Sequence, residues 1–300
     1  MKVKSKIFYW YAAFVVAFGL LTLLPSPDKV SMQRYHLSST SIRLLDLTLI
    51  IPEALIWFVA FYGYQKLSRY ASLIRSDKDG SQIFHLARGL LLLAVGLPIA
   101  AILSTILNII ASHVPDFKPS AVVINNYCGI LFPLWGFLLM SIGARGLGNL
   151  AKTRPRFTVL NAITLAVIIL GVGFCCLVSV GHTAVRNTYH MSPGLVMLTL
   201  GVPYMYTWFL GLLTIAELHA YSHTVPGVLY RRGWMLLIWG LGSIILTYIT
   251  IEYLSTLSTW ITSLSLGGIL ALLYVLLLLL AGAFIVVALG AKKLTKIEEA

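Results

Sequence analysis

The sequence predicts an all-α, polytopic membrane protein with eight transmembrane helices. Three observations lead to this fold class: 59% of the 300 residues are hydrophobic, only 11% are charged, and the apolar residues form long continuous runs. Soluble domains carry roughly a quarter charged residues, so a mean hydropathy of +0.89 excludes that class. Membrane β-barrels need short segments of alternating polarity, which these runs are not.

The apolar runs have the length that a helix needs to cross a bilayer. A hydrocarbon core of about 30 Å requires about 20 helical residues. The first run ends in a Leu-Pro-Ser-Pro segment without a small-residue cleavage site, so we expect a helix there and not a signal peptide. The eight predicted spans are approximately Ile7 to Leu24, Leu44 to Tyr64, Leu90 to Ala111, Ile124 to Gly143, Val159 to Val180, Leu195 to Leu218, Trp234 to Leu254 and Leu266 to Leu289.

The distribution of Lys and Arg predicts the orientation. The two termini and the even-numbered loops carry 17 of the 22 basic residues, and the odd-numbered loops carry 5. The positive-inside rule then predicts a multi-pass protein of the plasma (inner) membrane with both termini in the cytoplasm. Because topology explains the net charge of +12, we expect no nucleic-acid partner. The expected partners are the lipid bilayer, a small solute or ion, and a second copy or another membrane protein.

The chain contains an apparent internal duplication. A Tyr-His-x-Ser motif at Tyr35–Ser38 recurs at Tyr189–Ser192. The other matching segments are 47–58 with 198–209, 88–97 with 232–241 and 143–147 with 290–294, at offsets of 151, 144 and 147 residues.

This duplication predicts two four-helix repeats, residues 1–150 and 151–300, within one membrane domain. Each repeat contains an even number of spans, so both enter the membrane in the same direction. The repeats are therefore parallel and related by a pseudo-two-fold axis along the membrane normal, as in transporters built from parallel halves.

Spans 2 and 6 carry the same pattern of a proline followed five residues later by Trp-Phe. Pro52 and Pro203 each remove a backbone hydrogen bond in mid-helix, and Trp57 and Trp208 follow them. We expect these helices to face a shared groove that contains a site. The alternative is that the prolines only shape the packing.

Glu53 is the most informative single residue. It lies near the predicted centre of span 2, where a carboxylate is costly and usually faces a cavity, a partner or a proton path. Asp46 is on the same helical face, seven residues earlier, and Arg43 is one turn before Asp46. We expect a polar path from the outer surface to a protonatable Glu53. The alternative is a neutral, hydrogen-bonded glutamic acid that joins two helices.

The two repeats differ at their polar positions. Glu53 corresponds to Tyr204, and Asn108 of span 3 is matched with Glu252 of span 7. A symmetric scaffold with asymmetric polar groups is what a single site at the repeat interface would use, and divergence after duplication would produce the same pattern. The expected solute or proton site therefore includes Glu53, Asp46, Arg43, Trp57, Tyr204, Trp208, Glu252 and Asn108.

The histidines suggest a gate and, more weakly, a metal site. The paired motifs place Tyr35, His36, Tyr189 and His190 on the outer face, where they could form a pH-sensitive gate. His36 with His190 and, separately, His219 with His223 are the weak candidates for metal or haem ligands, the latter pair four residues apart on one helix. The alternative for each is helix capping or packing, and no cofactor is predicted.

The leading hypothesis is a carrier or channel for a small solute or ion, proton-coupled through Glu53. The alternatives are a non-enzymatic sensor or assembly partner and a haem- or metal-binding redox protein. An intramembrane enzyme acting on lipid is a fourth possibility, for which the sequence offers no nucleophile and base and no known catalytic motif.

Overall fold

The structure is a computed structural model and describes residues 39–74, 76–114, 117–152, 190–260 and 266–299. Every regular element within these ranges is helical, which confirms the all-α prediction. The first and fifth predicted spans lie outside the described residues. The helices are α1 Ser39–Leu73, α2 Asp77–His113, α3 Lys118–Leu150, α4 Pro193–Val196, α5 Val202–Ser222, α6 Val228–Trp260 and α7 Leu266–Glu299, with a π-helical segment at Met197–Gly201.

The long helices extend well beyond the predicted spans. α1 and α2 contain 35 and 37 residues, which at 1.5 Å per residue is roughly 50 Å or more, against a hydrocarbon core of about 30 Å. The segments between these predicted spans, 65–89 and 219–233, are therefore helical for most of their length. Hydropathy marks only the apolar part of a helix, whereas a polar end stays helical where it packs against a neighbour.

Local signals explain several helix ends. The Ser76 hydroxyl accepts a hydrogen bond from the backbone N–H of Asp79, 3.3 Å away, and caps α2. Pro203 follows the π-helical segment without a break in the helix, and a proline stands in the first turn of α3, where it costs no intrahelical bond. Pro52, in contrast, lies inside α1 and removes one such bond.

The six long helices pack in a closed ring. α1 packs against α2 and α7, α3 against α2 and α5, and α6 against α5 and α7. The ring order is therefore α1, α2, α3, α5, α6, α7. At one end α1 connects to α2, α5 connects to α6, and α3 and α7 terminate; we call this the basal end.

One hydrophobic core joins all six long helices. Its largest fully buried side chains include Phe137 of α3, Trp234 of α6 and Phe284 of α7. Both halves of the ring contribute to this core, so within the described residues the two halves form a single packed body.

Glycines bring the helices of each half close together in the same way. A Cβ added to Gly89 of α2 would lie 2.4 Å from the Gly136 carbonyl oxygen and from Met140 of α3. A Cβ added to Gly240 of α6 would meet Val287 and the Ala283 carbonyl of α7 at 2.5–3.0 Å. The α2–α3 and α6–α7 pairs thus make the same close contact. The α2 and α6 residues in it are 151 positions apart, and the α3 and α7 residues are 147 positions apart.

This contact changes one detail of the predicted duplication. The match of 88–97 with 232–241 makes Gly89 equivalent to Gly233, but the packing makes Gly89 equivalent to Gly240, seven residues later. Small residues on these helices recur every seven positions, two helical turns, so a short motif matches in either register. The packing register agrees with the offset of 151 between segments 47–58 and 198–209.

Two described segments are long and apolar enough to cross a membrane, Ile130–Leu150 of α3 and Tyr274–Glu299 of α7. They give weak support for membrane association. Large apolar side chains also lie on the outside of the bundle: Trp239 is 67% exposed, Leu246 66% and Leu278 56%. A soluble protein rarely exposes so many large apolar groups together.

Candidate functional site

Glu53 lies in α1, next to Pro52, and is partly buried. Asp46 and Arg43 are on the same helix, but their side chains lie outside the described part of the structure. Trp57, one turn beyond Glu53, is only 3% exposed and belongs to the core. The predicted polar path along α1 therefore does not open into a groove at Trp57, because the Trp57 side chain is packed in the core.

Trp208 of α5 is also 3% exposed. Its ring centroid lies 6.2 Å from that of Phe137 and 5.9 Å from that of Tyr248. The Trp208 Nε1 and the Tyr248 hydroxyl are both buried, and neither has a hydrogen-bond partner among the described residues. Since a buried donor without a partner costs about 1–3 kcal/mol, these two groups mark a place where a polar ligand or water would be favourable.

Tyr204, the counterpart of Glu53, is partly buried and lies one turn before Trp208. The π-helical segment Met197–Gly201 directly precedes this turn. π-Helical turns frequently occur at functional sites because they disturb the regular pattern of backbone hydrogen bonds. The π-helical segment, Tyr204 and the unpaired Trp208 Nε1 thus follow one another within the start of α5 and the turn before it.

The two halves of the predicted site are on helices that do not pack along each other. In the ring, two helices separate α1 from α5 on either side. Asn108 and Glu252 lie in α2 and α6, with side chains outside the described part. An offset of 151, as in the glycine contacts, would align Asn108 with Thr259; the correspondence of Asn108 and Glu252 stays a prediction.

The predicted outer gate is described only in part. His190 is exposed and has a left-handed backbone conformation with φ of 50°. Tyr35, His36 and Tyr189 lie outside the described residues, so the pairing of the two motifs stays a prediction.

His219 and His223 stand together at the basal end. Their rings are in edge contact, with centroids 4.7 Å apart. The Arg231 Nη2 donates a hydrogen bond of 2.8 Å to the His223 Nδ1. Local desolvation, and then the Arg231 charge and His219, lower the pKa of His223, so His223 is neutral at pH 7 with its proton on Nε2.

This arrangement does not favour a metal at His219 and His223. The guanidinium occupies one ring nitrogen and places a positive charge beside it. Glu217, the nearest carboxylate in sequence, is buried and interacts electrostatically with Arg145. Over the described ranges, no group of three or more His, Cys, Asp or Glu side chains is placed to hold a metal ion.

An aromatic cluster closes the core at the basal end. Tyr70 of α1 and Tyr221 of α5 both contact the buried Trp234 edge-on, with centroids 6.2 and 5.2 Å from it. Desolvation by burial raises the pKa of Tyr221 to about 12 and that of Tyr70 still further above its ordinary value. Sequence reasoning missed this cluster, although Tyr70 and Tyr221 are separated by the same 151 positions as the matching segments.

The end of α7 is tied to both neighbours at this basal end. Arg69 of α1 forms an ion pair with Glu299, and the Tyr230 hydroxyl of α6 donates to Glu298 at 2.9 Å. The Thr295 hydroxyl donates to the Lys66 carbonyl oxygen at 2.9 Å. These contacts join α1, α6 and α7 below the aromatic cluster.

A groove of about 340 Å³ opens between α1 and α2 beside this cluster. Its polar lining comes from three serines, His85 and Arg88, and its apolar lining includes Ile74 and Phe84. No sequence motif marks it, because it depends on the close approach of Gly80 to the end of α1.

Compared with protein-family models, with curated proteins and with solved structures, the chain matches none.

Proposed function

We propose that the protein is a multi-pass membrane carrier or channel for a small solute or ion. In this proposal eight helices span the plasma membrane, both termini and the basal end face the cytoplasm, and the chain consists of two parallel four-helix repeats. The exposed apolar side chains of α3, α6 and α7 support the membrane placement. The repeated glycine contacts, 151 and 147 positions apart, support the repeat.

The buried, unpaired polar groups of Trp208 and Tyr248 carry the proposal of a solute site. They offer a hydrogen-bond donor and a hydroxyl inside the bundle, next to the buried Thr207 and Thr247, whose hydroxyls bond to their own helices. Tyr204 lies on the same face of α5, and the repeat places it opposite Glu53 across the ring. A polar solute or a hydrated ion that passes between the two halves would have Trp208 and Tyr248 on one side of its path and Glu53 on the other.

Glu53 is the proposed proton or cation site. A carboxyl group near the bilayer centre is stable in its neutral form and can exchange a proton when water or a solute reaches it. The proline beside it frees a carbonyl oxygen of α1 for the same purpose. Solute movement would be coupled to proton movement if only one protonation state of Glu53 allows the two halves to separate.

Proton flux in proteoliposomes tests this proposal. A potassium diffusion potential drives protons inward, and entrapped pyranine reports the internal pH. We expect flux above that of protein-free vesicles, reduced at least about tenfold in Glu53→Gln, since an intramembrane proton relay depends on the ionisable group. Trp208→Phe should also reduce the flux, because it removes the buried indole N–H donor. Glu53→Gln keeps the side-chain shape, and Trp208→Phe keeps an aromatic ring.

Two matched variants control this assay. Glu298→Gln removes a carboxylate at the basal end, and Trp239→Phe replaces an exposed tryptophan; both should conduct as the wild type. Equal flux in wild type and Glu53→Gln would remove Glu53 from the mechanism. Wild-type flux no higher than in protein-free vesicles would contradict proton-coupled transport and favour the second candidate function.

The second candidate is a membrane sensor or assembly partner without transport. One observation favours it: a single hydrophobic core joins both halves of the ring, with Trp57 and Trp208 both buried in it. It predicts no flux and a stable complex with another membrane protein after mild solubilisation.

A further inference from the structure

We propose that the groove between α1 and α2 binds a phosphate group, as a free anion or as the headgroup of an anionic lipid. This inference concerns a site at the basal end, remote from Glu53, and goes beyond the transport proposal. Only its lipid alternative rests on the proposed membrane placement.

The groove presents hydrogen-bond donors from one face of α2. Ser81, His85 and Arg88 all line it, and their spacing of four and three residues aligns them along the helix. The His85 Nδ1 is buried and has no hydrogen-bond partner among the described residues, whereas Arg88 is exposed. A guanidinium, an imidazole and a hydroxyl in one row suit the several oxygens of a phosphate.

The other two serines are already engaged. The Ser72 hydroxyl donates to the Arg69 carbonyl oxygen at 2.8 Å, and that of Ser76 accepts from Asp79. They shape the wall of the groove, and the three donors of α2 remain the groups that would bind the anion.

The electrostatics favour a negative ligand. None of the described residues that line the groove is acidic. Asp79, the nearest described carboxylate in sequence, does not line the groove; its charge contributes to the raised pKa of Tyr221 and Tyr70. Among the described residues that line the groove, Arg88 alone carries a permanent charge.

The width of the groove depends on Gly80. A Cβ at this position would lie 2.9 Å from the Ala71 carbonyl oxygen, so α2 approaches the end of α1 here with nothing between them. The equivalent position of the second half, 151 residues later, is Arg231. Arg231 reaches across to His223 at 2.8 Å and so bridges α6 and the end of α5, whereas Gly80 has no side chain and packs directly on the end of α1. We therefore expect one site per chain.

The depth of the site suits a phosphate. Arg88 lies two residues before the predicted start of span 3, Leu90, which is the level of the lipid headgroups. The exposed Phe84 beside it offers an apolar surface to an acyl chain.

The test uses the full-length protein, purified in detergent and freed of bound lipid. Inorganic phosphate is titrated by equilibrium dialysis, and phosphatidylglycerol by native mass spectrometry, with diacylglycerol as the probe that lacks phosphate. We expect one bound phosphate-bearing ligand per chain. Arg88→Gln and Ser81→Asp should each weaken it at least about tenfold, because they remove a charge-assisted hydrogen bond or add a repelling charge.

Both substituted residues are exposed, so these variants should fold. Arg232→Gln, at the position equivalent to Ser81, makes the same charge change outside the groove and should bind within about twofold of the wild type. Phosphatidylglycerol binding alone identifies a lipid ligand, and binding of phosphate alone identifies a free anion. The proposal is overturned if neither probe binds, if diacylglycerol binds equally, or if Arg232→Gln weakens binding as much as Arg88→Gln.

Discussion

The α1–α2 and α5–α6 helix pairs occupy corresponding places in the ring but end differently. In the first pair Gly80 leaves a groove lined by His85 and Arg88. In the second pair Arg231 bonds to His223, and the Ser222 hydroxyl lies 3.8 Å from the Met235 sulfur.

The interior of the two halves is far more alike than this basal end. Gly143 of α3 lies against Gln82, His85 and Leu86, and Gly290 of α7 lies against the residues 151 positions after each of these. Close helix packing tolerates only small residues at such contacts, whereas a solvent-facing helix end tolerates almost any. The difference teaches that the two helix pairs are alike where they pack closely and differ where packing is absent.

The largest expected effect comes from breaking the shared packing. Gly89→Ala and Gly240→Ala should each lower the free energy of unfolding by about 1–3 kcal/mol, because the new methyl group would overlap the facing helix in both halves. Thermal unfolding in detergent measures this.

Gly282→Ala is the matched control, since a Cβ there meets open space. Because alanine has a higher helix propensity than glycine, Gly282→Ala should leave the free energy of unfolding unchanged or raise it by up to about 1 kcal/mol. A loss in only one of the two paired variants would contradict the equivalence of the helix pairs.

The smallest expected effect concerns the closed end of α5–α6. Because the Arg231 charge contributes to the low pKa of His223, Arg231→Gln should raise that pKa towards the ordinary value of about 6.5. The Arg231–His223 hydrogen bond should hold above about pH 6.5 and be lost as the pH falls through the lowered pKa, since protonated Nδ1 no longer accepts. NMR titration of the histidine rings follows both changes.

Arg232→Gln should leave the titration of His223 unchanged. An unaltered pKa of His223 in Arg231→Gln would mean that desolvation and His219 lower it without Arg231, and the closed end would then not depend on this pair.

Much of the fold could be predicted from the sequence, because hydropathy directly reflects which helical segments avoid water. The helices, their order and the offset of 151 residues all follow from apolar runs and matching segments. Helix ends did not follow: Lys66 and Arg69 are polar yet helical, since they pack against α7. The sequence allows two registers of α6 against α2 because glycine recurs every two turns.

The candidate sites were less accessible to sequence reasoning. Glu53 could be identified because a carboxyl group within an apolar run is costly wherever the helix lies. The unpaired Trp208 and Tyr248 could not, because only the packing decides which polar groups lack partners. The groove could not either, because it depends on how closely α2 packs on the end of α1 at Gly80, where an added Cβ would lie 2.9 Å from the Ala71 carbonyl oxygen.

Labelling of single cysteines in the membrane tests the central claim, two parallel repeats with both helix connections on the cytoplasmic side. Lys78→Cys and Leu229→Cys stand at equivalent exposed positions of α2 and α6, and His190→Cys lies at the opposite end, each in a chain whose native cysteines are replaced by alanine. We expect a membrane-impermeant maleimide to label positions 78 and 229 in inside-out vesicles only, and position 190 in intact cells. Labelling of positions 78 and 229 from opposite sides, or loss of the protein from the membrane fraction, would contradict the account.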